Sequence, residues 1–323
     1  MSIMSLPHKV LVILGPTATG KSDLAVEAAL KLNGEVISAD SRQVYRGLDI
    51  GTGKITREEM KGVRHWLLDV ADPHDRFTVA EWKKQAEVAI ADIVGRGKLP
   101  IICGGTGFYI SALIDRIEFP EVETDRDAQK ELESMPASEL FAMLEKLDPR
   151  RASTMTDNGE KTNKRRLARA ILIARELGAV PPNVPAIGPS GGRGILERDA
   201  LYLGKVSEIG LTIPDDELKA RIRARLIKRL DHGMIEEATH LHTPPPAGAG
   251  LSHERMHELG LEYRYLAEFL QGRLDREGLI ETLSAKIWQY ARRQKTWFKR
   301  DPRIHWFSPE EAMSALIRGQ FVL

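Results

Sequence analysis

The sequence predicts an α/β protein: a parallel sheet flanked by helices, with an inserted helical subdomain and a mostly helical C-terminal part. Three observations carry that prediction. Short apolar runs alternate with helical patterns over residues 10–110, a glycine-rich loop follows the first run, and the chain turns charged and helical near residue 120. At roughly 150 residues per domain, a chain of 323 residues suggests two domains. With 42% hydrophobic and 29% charged residues, the composition suits a globular protein and argues against disorder, collagen or a disulfide scaffold.

In chain order, VLVIL (10–14), EVIS (35–38), HWLLDV (65–70) and LPIIC (99–103) read as strands. Between the first two, Leu24, Ala25, Ala28, Ala29 and Leu32 share one helical face. Thr78 and Glu81 form a capping box that opens a helix through 79–95. Apolar strands alternating with helices imply parallel pairing with right-handed crossovers. Ligands of such sheets bind at the carboxyl ends of the strands. The expected boundaries are 1–119 for the first part of the core, 120–202 for the insertion and 203–323 for the part that completes the core. A Pro/Gly-rich loop is expected at 181–194, and TPPPAGAG (243–250) interrupts a mainly helical 214–300. No convincing internal repeat is present.

Several function classes drop out early. The longest apolar runs fall well short of the roughly 20 residues that span a bilayer, so no membrane association is expected. No charged segment followed by an apolar one opens the chain, so no secretory signal is expected. Cys103 is the one cysteine, which makes an internal disulfide impossible and points to a reducing cytoplasm. Nothing demands more than a monomer.

The net charge of +1 conceals an uneven distribution. Residues 161–175 and 219–229 each carry six basic residues and no acidic one. Residues 286–303 carry seven basic residues against Asp301, interleaved with Trp288, Tyr290, Trp297 and Phe298. Basic side chains neutralise phosphates, and interleaved aromatics can stack on bases. Each window alone is consistent with a solvated helix face; three beside a phosphate-binding motif favour a polyanionic partner.

That motif is Gly15-Pro16-Thr17-Ala18-Thr19-Gly20-Lys21-Ser22, a match to G-x-x-x-x-G-K-[ST] between a strand and a helix. It places the sheet in the P-loop NTPase-like class. Glycines let successive N–H groups point inward, and the helix N-terminus adds partial positive charge. Lys21 supplies a mobile cation, and the Ser22 hydroxyl is a candidate ligand for Mg²⁺. The usual ligand of such a loop is ATP or GTP, with an acidic residue at the end of a nearby strand to organise the metal. Asp40 and Asp69 both fit that description. These residues leave a kinase and other diphosphate chemistry open.

A second motif competes. His253-Glu254-Arg255-Met256-His257 spells H-E-x-x-H, which on a helix can bind Zn²⁺ with Glu254 as base. Position 263 is Tyr where an extended zinc motif wants His, and no other histidines complete a ligand set. Cys103 reads as a small hydrophobe in its strand.

The block Asp40-Ser41-Arg42-Gln43-Val44-Tyr45-Arg46-Gly47-Leu48-Asp49-Ile50-Gly51-Thr52 is long and unusual. Together with GPTATGKS, HWLLDVADP (65–73) and GGTGFY (104–109), it resembles the bacterial tRNA dimethylallyltransferases, also called tRNA isopentenyltransferases. The resemblance continues, in the family's order, through RRLARA (165–170), RIRARLIKRLDHGMIEEA (221–238), GLEYRYLAEFL (260–270) and RRQKTWFKR (292–300).

The resemblance implies transfer of a dimethylallyl group from dimethylallyl diphosphate to N6 of the adenosine 3′ of the anticodon, tRNA position 37. The loop would then hold a pyrophosphate leaving group rather than ATP, with Mg²⁺ as cofactor. By the same resemblance Asp40 is the general base, Thr106 lies near the transferring group, and Thr17, Lys21, Arg221 and Arg225 contact diphosphate, with Arg225 favoured over Arg221. Asp40, Ser41, Arg42 and Gln43 would touch the target nucleotide, which must leave its stack to reach a buried site. The anticodon stem-loop would be gripped by Arg165, Arg166, Leu167, Ala168, Arg169, Tyr263, Arg264, Arg292, Arg293, Gln294 and Trp297.

Departures from the family pattern are confined. Thr162-Asn163-Lys164-Arg165 stands where the family has an Asn-Asp pair and a Gln, which puts the Gln contacts in doubt at Arg165. The last loop position is Ser22 rather than the commoner Thr, and 243–257 is divergent. The rival readings are an isopentenyltransferase acting on free AMP or ADP, a P-loop small-molecule kinase, an RNA-binding protein with a dead P-loop, and the zinc protease. The basic C-terminal windows argue against the first rival. Intact Lys21, Ser22 and Asp40 argue against the dead loop.

Overall fold

A computed structural model describes residues 9–120, 122, 125–181 and 205–320. The chain forms two compact units, Met1–Arg116 with Ile187–Leu323, and Ile117–Ala186. The second unit overlaps the insertion expected at 120–202, whose C-terminal boundary, with most of the Pro/Gly-rich stretch from residue 182, lies outside the described residues.

The first unit begins with β1 (Lys9–Leu14), α1 (Lys21–Leu32), β2 (Gly34–Ser38), α2 (Arg57–Met60), β3 (His65–Trp66), α3 (Val79–Gly95), β4 (Leu99–Gly104) and α4 (Gly107–Ile114). The second unit holds α5 (Arg126–Ser134), α6 (Ala137–Leu147), α7 (Pro149–Asp157) and α8 (Lys164–Leu177). The chain returns to the first unit with β5 (Lys205–Leu211), α9 (Asp215–Asp231), α10 (Met234–His242), α11 (His253–Leu259), α12 (Leu261–Leu270), α13 (Arg276–Phe298), β6 (His305–Phe307) and α14 (Pro309–Ile317).

Among the described residues the strands form one parallel sheet in the order β3-β2-β4-β1-β5-β6. A parallel sheet is covered on both faces, so its central strands read as unbroken apolar runs; Val10 to Leu14 are all 0% exposed. Alternate residues face opposite ways. Val10, Val12 and Leu14 join Trp82 and Ala86 of α3 and Leu283 and Ile287 of α13 in one core. Leu11 and Ile13 join Leu24, Ala25 and Ala28 of α1 and Leu316 of α14 in the other. Each fully buried aliphatic side chain stabilises the fold by about 1.5–3 kcal/mol, so this sheet core anchors the loops that follow it.

Local signals mostly act as read. The capping box is present: Thr78 accepts from the Glu81 amide at 3.2 Å, and the Glu81 carboxylate accepts from the Thr78 amide at 2.7 Å. HWLLDV does not form a full strand. Pairing stops at Trp66 because Leu67 and Asp69 take left-handed φ values of 63° and 58°. β5 and β6 carry no long apolar run; Glu208 in β5 is buried 3.1 Å from Arg303.

The helical unit packs on its own core of Leu132, Leu140, Leu144, Met155, Leu167 and Ile171. Asp148 caps α7 through the Arg151 amide at 2.9 Å and ties down Val180 at 2.8 Å. Asn163, one of the family departures, caps α8 by accepting from the Arg166 amide at 3.2 Å.

Candidate active site

The loops after β1, β4 and β2 lie side by side because these strands are neighbours in the sheet. The backbone joins them: the Ala39 amide donates to the Cys103 carbonyl at 2.8 Å, and the Thr106 amide donates to the Ala39 carbonyl at 3.1 Å. A Cβ on Gly104 would sit 2.2 Å from the Ala39 carbonyl oxygen, so only glycine admits this approach. Motifs far apart in the chain thus converge at the carboxyl edge of the sheet, where open α/β sheets bind ligands.

The glycine-rich loop closes on itself. The Thr19 hydroxyl and the Lys21 ammonium both donate to the Pro16 carbonyl, at 2.9 and 2.6 Å. Gly20 has a φ of 82° at the start of α1. Burial lowers the pKa of Lys21 to about 8; nearby Arg225 pushes the same way, while Cys103 and Asp40 oppose it. A cation so placed gains much from an arriving anion. Burial pushes the Cys103 thiol up to about 12, leaving it inert as expected of a core residue.

Asp40 is held by its own turn: Oδ1 accepts from the amides of Arg42 and Gln43 at 2.8 and 3.4 Å. Thr106 is the residue preceding α4, but its side chain makes no capping bond. Its hydroxyl oxygen accepts from the Ser41 amide at 3.0 Å, and burial holds the phenol of Tyr290 above its usual range. Arg42 passes close to Gly260, where a Cβ would lie 2.9 Å from its Nη2. Gln43 is tied at both ends, to Ser38 at 3.4 Å and to the Gly53 carbonyl at 3.3 Å.

The structure corrects several expectations. Gln294 is 6% exposed. It accepts from the Thr17 amide at 2.9 Å and donates to the Gly105 carbonyl at 2.8 Å, so it braces the phosphate loop instead of meeting RNA. The Thr17 amide is thereby committed to protein. Tyr263 is 1% exposed, with its hydroxyl on Glu237 at 2.7 Å, and is inaccessible to RNA. Leu167 and Ala168 are core residues of the helical unit, because they lie on the apolar stripe of α8. Arg221 pairs with Glu217 at 2.6 Å on its own helix, whereas Arg225 donates to the Gly53 carbonyl at 3.0 Å. Asp69 lies off the strand and binds Lys54 at 2.5 Å; of the two acidic candidates, Asp40 alone is at a strand's end.

Other predicted residues do reach the surface. Arg165, Arg166, Arg264, Arg292, Arg293 and Trp297 are exposed. Arg166 pairs with Glu160, and Arg169 is half-buried and donates to the Val122 carbonyl at 2.7 Å. Arg293 lies 5.7 Å over the Tyr290 ring. Trp297 packs against Gly107, where a Cβ would come within 2.2 Å of its Cδ1.

Sequence reading missed Glu237 and Arg229 as residues that hold the 49–53 loop. One signal was available: Leu283, Ile287, Ala291, Gln294 and Phe298 follow helical spacing, which marks Gln294 as core-facing. The H-E-x-x-H histidines have other partners. The His253 ring stacks on His242 at 4.0 Å, and His257 lies 2.9 Å from Glu268. Among the described residues no cluster of three His, Cys, Asp or Glu side chains is arranged to hold a metal, and no helix is long and apolar enough to cross a membrane.

The chain is similar to known proteins over most of its length. The family model described as IPP transferase matches residues 43–301. A tRNA dimethylallyltransferase 1 of Geotalea uraniireducens is 40% identical, with 92% of this chain and 91% of the relative aligned. A tRNA dimethylallyltransferase of Anoxybacillus flavithermus is 37% identical, over 93% and 90%. The crystal structure of a full-length tRNA isopentenylpyrophosphate transferase from Bacillus halodurans superposes with a TM-score of 0.65 at 34% identity, over 97% of both chains. A eukaryotic dimethylallyltransferase acting on tRNA shares the fold, at a TM-score of 0.74 and 24% identity, covering 98% of this chain and 79% of that one.

Proposed function

Because this chain belongs to the IPP transferase family, we propose that it is a tRNA dimethylallyltransferase, moving a dimethylallyl group from its diphosphate to N6 of adenosine 37. The observation that carries this reading is the shared cradle: the Thr106 amide donates to the Ala39 carbonyl beside Asp40, and Gln294 bridges the Thr17 amide to the Gly105 carbonyl, so the loop of Lys21 and the turn of Asp40 meet at one edge of the sheet. One group suits a departing anion and the other an incoming amine.

In the reaction the C1–O bond of dimethylallyl diphosphate breaks and a C1–N6 bond forms. Negative charge grows on diphosphate as the bond breaks. Preorganised loop amides, Lys21 and Arg225 are placed to stabilise that charge at little reorganisation cost. The N6 proton passes to Asp40, whose Oδ1 is fixed by the Arg42 and Gln43 amides, leaving Oδ2 to face the amine. Thr106, braced by Ser41, offers its hydroxyl beside the transferring group.

The residues fit a magnesium ion. Mg²⁺ keeps several waters and binds through few protein ligands plus substrate phosphate oxygens, so a site that offers one accessible hydroxyl suffices. Ser22, exposed in the first turn of α1, is the residue to hold it. When bound, the ion would neutralise diphosphate charge.

The adenosine arrives from an anticodon stem-loop, whose phosphates Arg165, Arg264, Arg292 and Arg293 would meet and whose unstacked bases Trp297 would contact. The test is one incubation with Mg²⁺, radiolabelled dimethylallyl diphosphate and either unmodified tRNA or AMP. Label in tRNA at the adenosine beside the anticodon is expected. Label only in AMP, or ATP-dependent phosphorylation of a metabolite without prenyl transfer, would refute the proposal.

A further inference from the structure

A short loop outside the phosphate motif is gripped from both sides. The amides of Asp49 and Ile50 donate to Oε2 of Glu237 at 2.9 and 2.6 Å, and the Gly51 amide donates to Oε1 at 2.9 Å. The buried Tyr263 hydroxyl donates to the same Oε1 at 2.7 Å. Residues 49–51 therefore wrap one carboxylate as a backbone nest wraps an anion. The carbonyls of the loop serve a different purpose. Gly51 accepts from Arg229 at 2.6 Å, and Gly53 accepts from Arg225 at 3.0 Å.

The fit has no slack. A Cβ on Gly51 would lie 2.6 Å from the Tyr263 hydroxyl, and one on Gly53 would lie 2.3 Å from Nη2 of Arg225. The Gly53 carbonyl that Arg225 meets also accepts from Gln43 at 3.3 Å, and the Gln43 amide donates to Asp40 at 3.4 Å, which joins Arg225 to the turn that carries Asp40. Among the described residues, the bond to Gly53 is the hydrogen bond that the Arg225 guanidinium makes. A guanidinium has five donors, so the loop fixes its direction and leaves the fork for a ligand.

We infer that Glu237 is a positioning residue: its carboxylate sets the 49–53 loop, and the loop aims Arg225 at the diphosphate. This rests on the diphosphate reading of residues 15–22. Glu237→Gln is the sharp perturbation, because four donors converge on the carboxylate and an amide NH₂ must face at least one of them.

The test titrates inorganic pyrophosphate with Mg²⁺ into the full chain by calorimetry and measures steady-state prenyl transfer. Glu237→Gln should raise the pyrophosphate Kd about tenfold, as for losing one charge-assisted contact, and lower kcat/KM for dimethylallyl diphosphate by at least as much, with kcat falling because Arg225 meets charge that grows as the bond breaks. In an Arg225→Ala background the same change should alter Kd by less than about twofold, since coupled residues are not additive. Tyr263→Phe keeps the carboxylate and loses one donor; it should shift Kd the same way by less, and it decides the matter if Glu237→Gln does not fold. An unchanged Kd per folded site, or the full effect persisting without Arg225, overturns the inference. Wild-type protein that binds no pyrophosphate overturns the diphosphate reading itself; wild-type binding with an indifferent variant overturns this inference alone.

Discussion

Gln294→Ala separates what the motif implied from what the fold imposes. Gln294 belongs to the RRQKTWFKR segment, which as a block points to RNA. Its side chain instead bridges the Thr17 amide and the Gly105 carbonyl at 2.9 and 2.8 Å, at 6% exposure. Truncation removes both hydrogen bonds. Gly105 is buried, so its stranded carbonyl costs about 1–3 kcal/mol, whereas the half-buried Thr17 amide can recover water and costs about 1 kcal/mol. The expected destabilisation is about 2–4 kcal/mol. The variant should therefore unfold at lower urea with an unchanged m-value. Because the brace lies on the phosphate loop, the KM for dimethylallyl diphosphate should rise about tenfold, the value of one well-placed contact. Affinity for an anticodon stem-loop, measured by filter binding, should stay within about twofold, well under the tenfold that 1.4 kcal/mol would give. A large loss of RNA affinity with normal stability and KM would refute the reasoning and restore the RNA role.

Three further outcomes follow from the geometry. Lys21 titrates near 8 in the folded protein against 10.5 ordinarily, and diphosphate needs its charged form. The kcat/KM for dimethylallyl diphosphate should hold below about pH 8 and fall above it. Folding stability should move oppositely: between the two values the unfolded chain binds more protons, so this group's contribution rises with pH. A pH profile of kcat/KM that is flat to pH 10 would contradict the assignment. Asp40→Asn keeps an acceptor for the Arg42 amide and loses the proton acceptor, so turnover should drop at least about 10²-fold with tRNA affinity intact; single-turnover kinetics near the wild-type rate would remove its role. Replacing exposed Arg292 and Arg293 with Ala should weaken stem-loop binding and lower the slope of log K against log salt by about 1–2, and an unaltered slope would count against both contacts.

Two of the block readings share a cause. RRLARA and GLEYRYLAEFL were read as blocks, and each straddles a helix whose faces differ. In α8, Leu167, Ala168 and Ile171 turn to the core, while Arg165 and Arg166 stay out. In α12, Tyr263, Leu266 and Ala267 form the buried stripe. Helical spacing alone carries that sorting, so it was legible residue by residue. HWLLDV failed otherwise: apolar content suggested a strand, but two left-handed residues end it after Trp66, and no composition rule reports a φ angle.

By itself the sequence determined the parallel α/β core, the phosphate loop and the helix capped at Thr78. Each depends on near neighbours in the chain: alternating apolar runs, glycines at fixed spacing, and a hydroxyl three residues before a carboxylate. Only the tertiary structure decided which distant side chains complete the site. Gln294 reaches Thr17 across 277 positions, and Glu237 reaches Ile50 across 187. Such pairings are set by strand order and helix packing, because a hydrogen bond requires two groups within about 3 Å, and chain spacing constrains that distance only within a turn or two.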